Sequence, residues 1–467
     1  MKNNLWQHQK DAIAFADGKN AVMVACDMGT GKCRIAMELI IDRKHKFTVV
    51  LCPKAVCPVW PEEFNKHYPD SKIKVIALQG TTSEKGLQFV QEEHANKDGL
   101  IIVTNYESVI CRKDKWGNEK PNPLNAVLMA AAREGRIDCM ILDESHRIKS
   151  VDSTISWLCK DFGRFIKHKL CLTGTPFHHS PLDIYGQYRF LDRTIFPPFF
   201  RTFKFHYAYV DTGRKGQPIL GFKNLGDLHD KFYQIAFRVN AEDVLDLPGE
   251  THQIRHFSLG REARRIYDDI EANFEAELVG GRITVSNALV WFMRLQQITS
   301  GFCVPDFDDG ERIERIIGRE KQKILIDLLN DLDVDEPLVV FCRFRHDLDS
   351  IHTAVRKAKF DSAELSGRVN QLEEWKSPGG PKVLAVQIRS GKEGIDLTRA
   401  RYGVYYSHGL SYGDYAQSLR RIRRPGQERT VFYIHLVAED SIDQRIMTGL
   451  KKKGQLVRSI LEGYVKK

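Results

Sequence analysis

The sequence predicts an α/β protein with two parallel-sheet lobes and a helical region between them. Three observations carry this reading. Apolar runs alternate with amphipathic stretches over the first 180 residues, and the same rhythm returns from about residue 321. Between about 181 and 301 it gives way to aromatic, mixed-charge sequence and long helical patterns. Largely apolar strands separated by helices indicate a parallel sheet covered on both faces.

In the first lobe, strands are expected at 21–25, 48–52, 73–77, 100–104, 137–142 and 169–172. Helices are expected at 32–41, 59–67 and 125–133, where apolar residues recur three to four apart. The middle region carries helical patterns at 261–278 and 286–299. In the second lobe the order is helix 321–332, strand 338–342, helix 346–357, strands 382–387 and 402–406, helix 412–422 and strand 430–436. The expected division is therefore 1–180, 181–310 and 311–467.

Bulk properties narrow the class. At 467 residues the chain is long enough for two or three domains. It contains no run of about 18 apolar residues, as a membrane-spanning helix requires. Met1-Lys-Asn-Asn-Leu-Trp6 lacks the apolar core of a secretory signal. The ten cysteines are scattered without a Cys-x-x-Cys pair, which argues against a zinc site or a disulfide framework. A cytoplasmic, monomeric protein with reduced thiols is expected, in a prokaryotic cell or a viral host. The net charge of +9 is uneven: residues 411–467 hold 12 Lys or Arg against 6 Asp or Glu, a net +6. Such an end suits an acidic polymer.

Gly29-Thr30-Gly31-Lys32 lies between an expected strand and an expected helix, the context a phosphate loop needs. Glycines let backbone N–H groups approach phosphates, the helix N-terminus favours negative charge, and Lys32 reaches the β- and γ-phosphates. Cys33 stands where a hydroxyl would ligate Mg²⁺, and a thiol is a soft substitute for a hard cation. Asp143 and Glu144 end the apolar run Cys139-Met-Ile-Leu142. Asp143 is the expected Mg²⁺ ligand, and Glu144 the group that polarises the attacking water. Far downstream, Gln417, Arg421 and Arg424 are spaced four and three apart, which puts them on one helix face. Guanidinium forks suit a transferring phosphoryl group, so Arg421 and Arg424 are candidate arginine fingers.

These motifs resemble the helicase-like ATPases of superfamily 2, and within them the Swi/Snf-type family of double-stranded DNA translocases. Leu5-Trp-Gln-His-Gln9 is similar to the family's adenine-reading motif, with Gln9 as the base-recognising residue. Asp27-Met-Gly-Thr-Gly-Lys32 resembles its phosphate loop. Asp143-Glu-Ser-His-Arg-Ile-Lys149 resembles its acidic box, and the trailing Arg-Ile-Lys separates it from RNA helicases. Leu172-Thr-Gly-Thr-Pro176 resembles the motif that couples hydrolysis to lobe movement. Arg238 and Leu247-Pro248 resemble the lobe junction. The resemblance implies two RecA-like lobes, ATP and Mg²⁺ as cofactors, and sequence-independent binding of double-stranded DNA.

It also assigns further residues. Pro53 and Lys54 follow Val50-Leu-Cys, Thr104 and Asn105 open Thr104-Asn-Tyr-Glu107, and Arg343 ends Val339-Val-Phe-Cys-Arg343. All five, with Arg389, Ser390 and Gly391, are expected at the nucleic-acid backbone. Gly394 and Asp396, in Arg389-Ser-Gly-Lys-Glu-Gly-Ile-Asp-Leu397, are expected at the nucleotide. The activity implied is a DNA-dependent ATPase that translocates on duplex DNA. A strand-separating helicase of the same superfamily and a weakly hydrolysing, ATP-gated DNA clamp are the alternatives.

Overall fold

The computed structural model describes residues 5–96, 98–111, 120–213, 217–279, 285–304, 314–388 and 395–461. The chain forms two compact units: Met1–Asp246 with Gln455–Lys467, and Leu247–Gly454. The boundary at Asp246 falls inside the region 181–310 that the sequence sets apart.

Unit 1 is built on strands β1 (Ala21–Cys26), β2 (Phe47–Cys52), β3 (Lys74–Ala77), β4 (Leu100–Asn105), β5 (Cys139–Asp143) and β6 (His168–Leu172). A hairpin, β7 (Ala208–Val210) with β8 (Ile219–Phe222), precedes β9 (Ala236–Val239). The sheet order is β3-β4-β2-β5-β6-β1-β9, and every pairing is parallel. Its strands are apolar because both faces are covered. Met23, Val49, Leu51 and Ile102 enter one core, while Val22, Val24, Val50 and Ile101 enter the other. That alternation is the period-two consequence of the pleat. Each such side chain, fully buried, stabilises by about 1.5–3 kcal/mol.

Unit 2 holds β10 (Glu250–Phe257), the short antiparallel pair β11 (Phe302–Cys303) and β12 (Arg315–Ile316), then β13 (Leu338–Cys342), β14 (Ser362–Leu365), β15 (Val383–Gln387), β16 (Tyr402–Tyr405) and β17 (Val431–Ala438). Its six-stranded sheet runs β10-β17-β16-β13-β15-β14, again wholly parallel. The helices Arg261–Val279 and Val285–Thr299 fall where expected, and Tyr267, Leu295 and Ile298 pack with Ile442, Ile446 and Leu450 of the helix Ile442–Leu461.

The middle region is not purely helical, contrary to the sequence reading. β9 completes the first sheet and β10 the second. Both are edge strands, and β10 (Glu-Thr-His-Gln-Ile-Arg-His-Phe) is exposed along nearly its whole length. A strand with water on its faces needs no apolar run, and polar side chains protect an edge from mispairing. Periodicity therefore gave no signal for it.

Candidate nucleotide site and arginine segment

The phosphate loop leaves the carboxyl end of β1 and enters the helix Lys32–Asp42. Gly29 and Gly31 take φ values of 84° and 78°, in the left-handed region. At Gly31 the requirement is double, because a Cβ there would collide with Gln9 Nε2. Gln9 is thereby seated on the loop. Its Nε2 donates to Thr30 O at 3.4 Å, and its Oε1 accepts from Trp6 N at 3.0 Å. His8 Nε2 donates to the same Thr30 carbonyl at 2.8 Å. Thr30 Oγ1 and Lys32 Nζ both donate to Asp27 O, at 2.7 and 3.1 Å. Asp27 Oδ2 accepts from Ala241 N at 3.2 Å, so the segment after β9 also braces the loop.

Register delivers the acidic residues to this loop. Asp143 pairs with Leu172, which pairs with Val24 near the end of β1. The Asp143 carboxylate is buried, and its Oδ2 accepts from Trp60 Nε1 at 3.2 Å and from Cys33 Sγ at 3.8 Å. Tyr106 OH donates to the Asp143 carbonyl at 2.8 Å. Burial, then the neighbouring Glu144 charge, pushes the Asp143 carboxyl up to about 6, with Lys32 opposing. Burial and Asp143 likewise hold Cys33 well above the ordinary thiol range, as a neutral S–H. Glu144 sits at φ 51°, a costly conformation for a side-chain-bearing residue. Its Oε2 meets His146 Nδ1 at 3.3 Å, and the same nitrogen lies 3.2 Å from Thr173 Oγ1. His146 thus joins the acidic box to the Thr173-Gly-Thr segment after β6. The sequence reading gives neither Trp60 nor Tyr106 a role at Asp143. Their support of Asp143 comes from tertiary packing across 83 and 37 residues.

In unit 2 the helix Tyr412–Ile422 carries Gln417 and Arg421, both buried, one turn apart. It ends at Ile422, with Arg423 as its C-cap at ψ 89°. Arg424 lies beyond the helix, so the expectation that Gln417, Arg421 and Arg424 share one helix face is corrected. Proline at 425 disfavours helical backbone at the residue before it, and a helix seldom continues into Pro-Gly. Arg424 Nη1 donates to Ile395 O at 3.2 Å, and Leu397 N donates to Arg421 O at 3.0 Å. The arginine segment is therefore tied to Ile395-Asp396-Leu397. Asp396 Oδ1 accepts from Thr398 N and Oγ1 at 2.9 and 2.8 Å. Gln427, also buried, donates to Thr398 O and Ala400 O at 3.0 and 2.8 Å.

The expected nucleic-acid residues are dispersed. Lys54 is exposed in a single 3-10 turn, beside buried Pro53. Thr104 is fully buried, and Asn105 nearly so. Both accept from the buried ammonium of Lys85, at 3.5 and 2.8 Å, so in this structure their side chains face inward. Arg343 N donates to Ser407 Oγ at 2.8 Å. Arg389, Ser390, Gly391 and Gly394 lie outside the described residues.

Residues 8–301 match the SNF2-related domain, and 320–426 the helicase conserved C-terminal domain. The chain belongs to the Swi/Snf-type family of helicase-like ATPases. Its two parallel sheets, one in each unit, are the two parallel-sheet lobes that the sequence predicts. Among relatives of this Swi/Snf-type chain, protein p41 of Acyrthosiphon pisum secondary endosymbiont phage 1 is 25% identical over 94% of each chain. The uncharacterized ATP-dependent helicase MG018 of Mycoplasma genitalium is 22% identical over 98% of this chain but only 42% of its own length. The SWI/SNF-related matrix-associated actin-dependent regulator of chromatin subfamily A-like protein 1 homolog of Caenorhabditis elegans is 23% identical over 96% of this chain and 61% of its own. The Sulfolobus solfataricus SWI2/SNF2 ATPase core in complex with dsDNA aligns at 19% identity and a TM-score of 0.42, covering 99% of this chain and 94% of that one.

Proposed function

We propose that this Swi/Snf-type protein is a DNA-dependent ATPase that converts ATP hydrolysis into translocation along double-stranded DNA. The observation that carries the reading is the meeting of Asp143 with the first turn after the phosphate loop, through Cys33 Sγ. It sets a carboxylate and Lys32 around one point, where a nucleotide's terminal phosphates would bind. Lys32 and the backbone N–H groups from Gly29 to Cys33 hold phosphate, Thr30 shapes the loop, and Gln9 selects the base. Glu144, oriented by His146, takes up the proton of the attacking water. Arg421 and Arg424 supply positive charge to the transferring phosphoryl group, and Asp396, next to the Ile395 carbonyl that Arg424 holds, would face the nucleotide with Gly394.

The donor set fits Mg²⁺. One hard carboxylate with phosphate and water oxygens is how this ion is usually held, and among the described residues no cluster of His, Cys, Asp and Glu forms an all-protein cage. Asp143 would hold it, with position 33 adjacent, and it would neutralise charge on the phosphates. Lys54, Arg343 and Arg389, with Pro53, Ser390 and Gly391, would grip the DNA backbone, while Thr104 and Asn105, turned inward on Lys85, would act through the strand end they hold. Such contacts carry no base code. No described helix is long and apolar enough to cross a membrane, and we place the protein in the cytoplasm as a monomer.

Displacement of a third strand from duplex DNA, with ATPase measured with and without duplex, tests this. Duplex-stimulated turnover with triplex displacement is expected. Unwinding of a forked duplex would favour the helicase reading, and ATP-dependent DNA retention without turnover the clamp.

A further inference from the structure

The edge of the first sheet opposite the phosphate loop holds a second charged cleft, of about 570 Å³. It is formed by the turns that enter the strands: Asp17 to Asn20 before β1, Arg43 to Lys46 before β2, Asp138 before β5, and His168 at the start of β6. Ligands of open α/β sheets usually bind at the carboxyl edge, so nothing in the ATPase accounts for this site. Its volume lies in the range of small-molecule pockets.

The lining groups converge rather than disperse. Lys19, Arg43, Lys44 and Lys46 face it, against Asp17 and Asp138. Asp138 is already committed, since its Oδ2 accepts the N–H groups of Lys46 and Phe47 at 2.8 and 2.9 Å. Lys19 and Arg43 are fixed by donation to the carbonyls of Phe15 and Ala16. Lys44, held at φ 54°, and Lys46 are exposed at the rim. At the back, the imidazoles of His45 and His168 lie 4.7 Å apart between ring centroids. His168 Nδ1 is buried, with no hydrogen-bond partner among the described residues. A solvated basic turn would explain exposed lysines. It does not explain two paired imidazoles and an unsatisfied ring nitrogen at the bottom of a cationic cavity.

We propose that this cleft binds a phosphate-bearing anion, at a site separate from the ATPase centre. Lys44 and Lys46 draw the anion in, Arg43 and Lys19 line its pocket, and His168 and His45 meet it at the base. The imidazoles confer a pH signature. Burial holds His45 down at about 4, with His168 and Arg43 adding to the depression and Asp138 opposing it. Burial, Arg43 and Lys167 lower His168, again against Asp138. A bound anion offsets those cations, so binding takes up protons and strengthens as pH falls.

The test uses pyrophosphate, titrated calorimetrically without added metal into the full chain carrying Lys32→Ala, which removes the phosphate-loop lysine. One-to-one binding is expected, tighter at pH 5 than at pH 6, a window nearer the folded His45 value in which pyrophosphate keeps a nearly constant charge, with proton uptake revealed by buffers of different ionisation enthalpy. Adding Lys44→Glu and Lys46→Glu, both at exposed positions, should weaken it by about tenfold or more. The same pair in the otherwise native chain should leave thermal stability and DNA-free ATPase unchanged. Competition by a short DNA duplex assigns the phosphate to a nucleic-acid backbone, and its absence to a free phosphoanion. No binding, or equal affinity with and without the charge reversals, overturns the proposal.

Discussion

The two units use the same scaffold, a parallel sheet with buried strands, and bury opposite chemistry within it. Unit 1 encloses a carboxylate at the end of β5, and burial pushes Asp143 up to about 6. Unit 2 encloses imidazoles at the end of β16 and on β17, and burial, the leading cause in both, drives His408 down to about 3 and His435 to about 2. His435 Nδ1 lies 3.3 Å from His408 Nε2, and its Nε2 lies 3.2 Å from His252 Nδ1, so the three rings form one column. Unit 1 sets Lys32 and the acidic box around its loop, whereas unit 2 sets the Arg424 guanidinium and the Arg421 backbone against Ile395 to Leu397. The scaffold fixes where strand ends lie, and the residues after those ends decide the chemistry.

The largest expected effect breaks the arginine side of this contrast. Arg421→Ala should lower duplex-stimulated kcat by about 10³-fold or more, as loss of an arginine finger does. Arg424→Ala should cost less, because Arg424 lies outside the helix and is tied to Ile395 O. Steady-state ATPase with thermal melting checks both, since Arg421 is buried and its loss also bears on folding. Equal losses would mean that the helix boundary does not rank the two. On the acidic side, Glu144→Gln should reduce kcat by about 10²- to 10⁴-fold while nucleotide binding persists. An unchanged rate would remove Glu144 from the chemistry.

The same contrast separates what the sequence revealed from what it hid. Gly29 to Lys32 and Asp143-Glu144 were legible because each motif is local and sits at the end of an apolar strand. The register Asp143–Leu172–Val24 brings the two motifs together. Trp60, Tyr106 and Gln427 were not legible in these roles, because hydrogen bonds spanning tens of residues leave no periodic trace. Arg424 was misplaced because spacing of three and four was carried past Pro425, whose backbone effect outweighs the periodicity. β10 was missed because an exposed edge strand lacks the apolar signal, as was the His252 that it contributes to the column.

A pH experiment addresses the buried groups. His408 and His435 stay neutral when folded, while the unfolded chain takes up protons below the ordinary value of 6.5. Their contribution is therefore present above that pH and falls away as the solution is acidified toward their folded values. Each costs about 1.4 kcal/mol per pH unit in that window. His408→Asn should be less stable than the parent at pH 7, and the gap should narrow by about that amount per unit as pH falls from 6 to 4. Urea denaturation across the window measures it, and a constant gap would show that His408 does not titrate on unfolding.

The smallest expected effect lies where the acidic side meets the phosphate loop. Cys33 donates an S–H to Asp143 Oδ2 at 3.8 Å, and its thiol is held neutral by burial and by that carboxylate. A neutral sulfur is a poor ligand for Mg²⁺, whereas a threonine hydroxyl offers a hard oxygen on a side chain of similar size. Cys33→Thr should therefore lower the Mg²⁺ concentration for half-maximal ATPase by up to about tenfold, with kcat at saturating Mg²⁺ little changed. The comparison that matters is Cys33→Ala, which removes the sulfur without adding an oxygen. If alanine and threonine give the same metal titration as the parent, position 33 only packs, and Asp143 with water and phosphate oxygens accounts for the metal requirement. If threonine alone shifts it, the cysteine is a tuned weakness beside the acidic box.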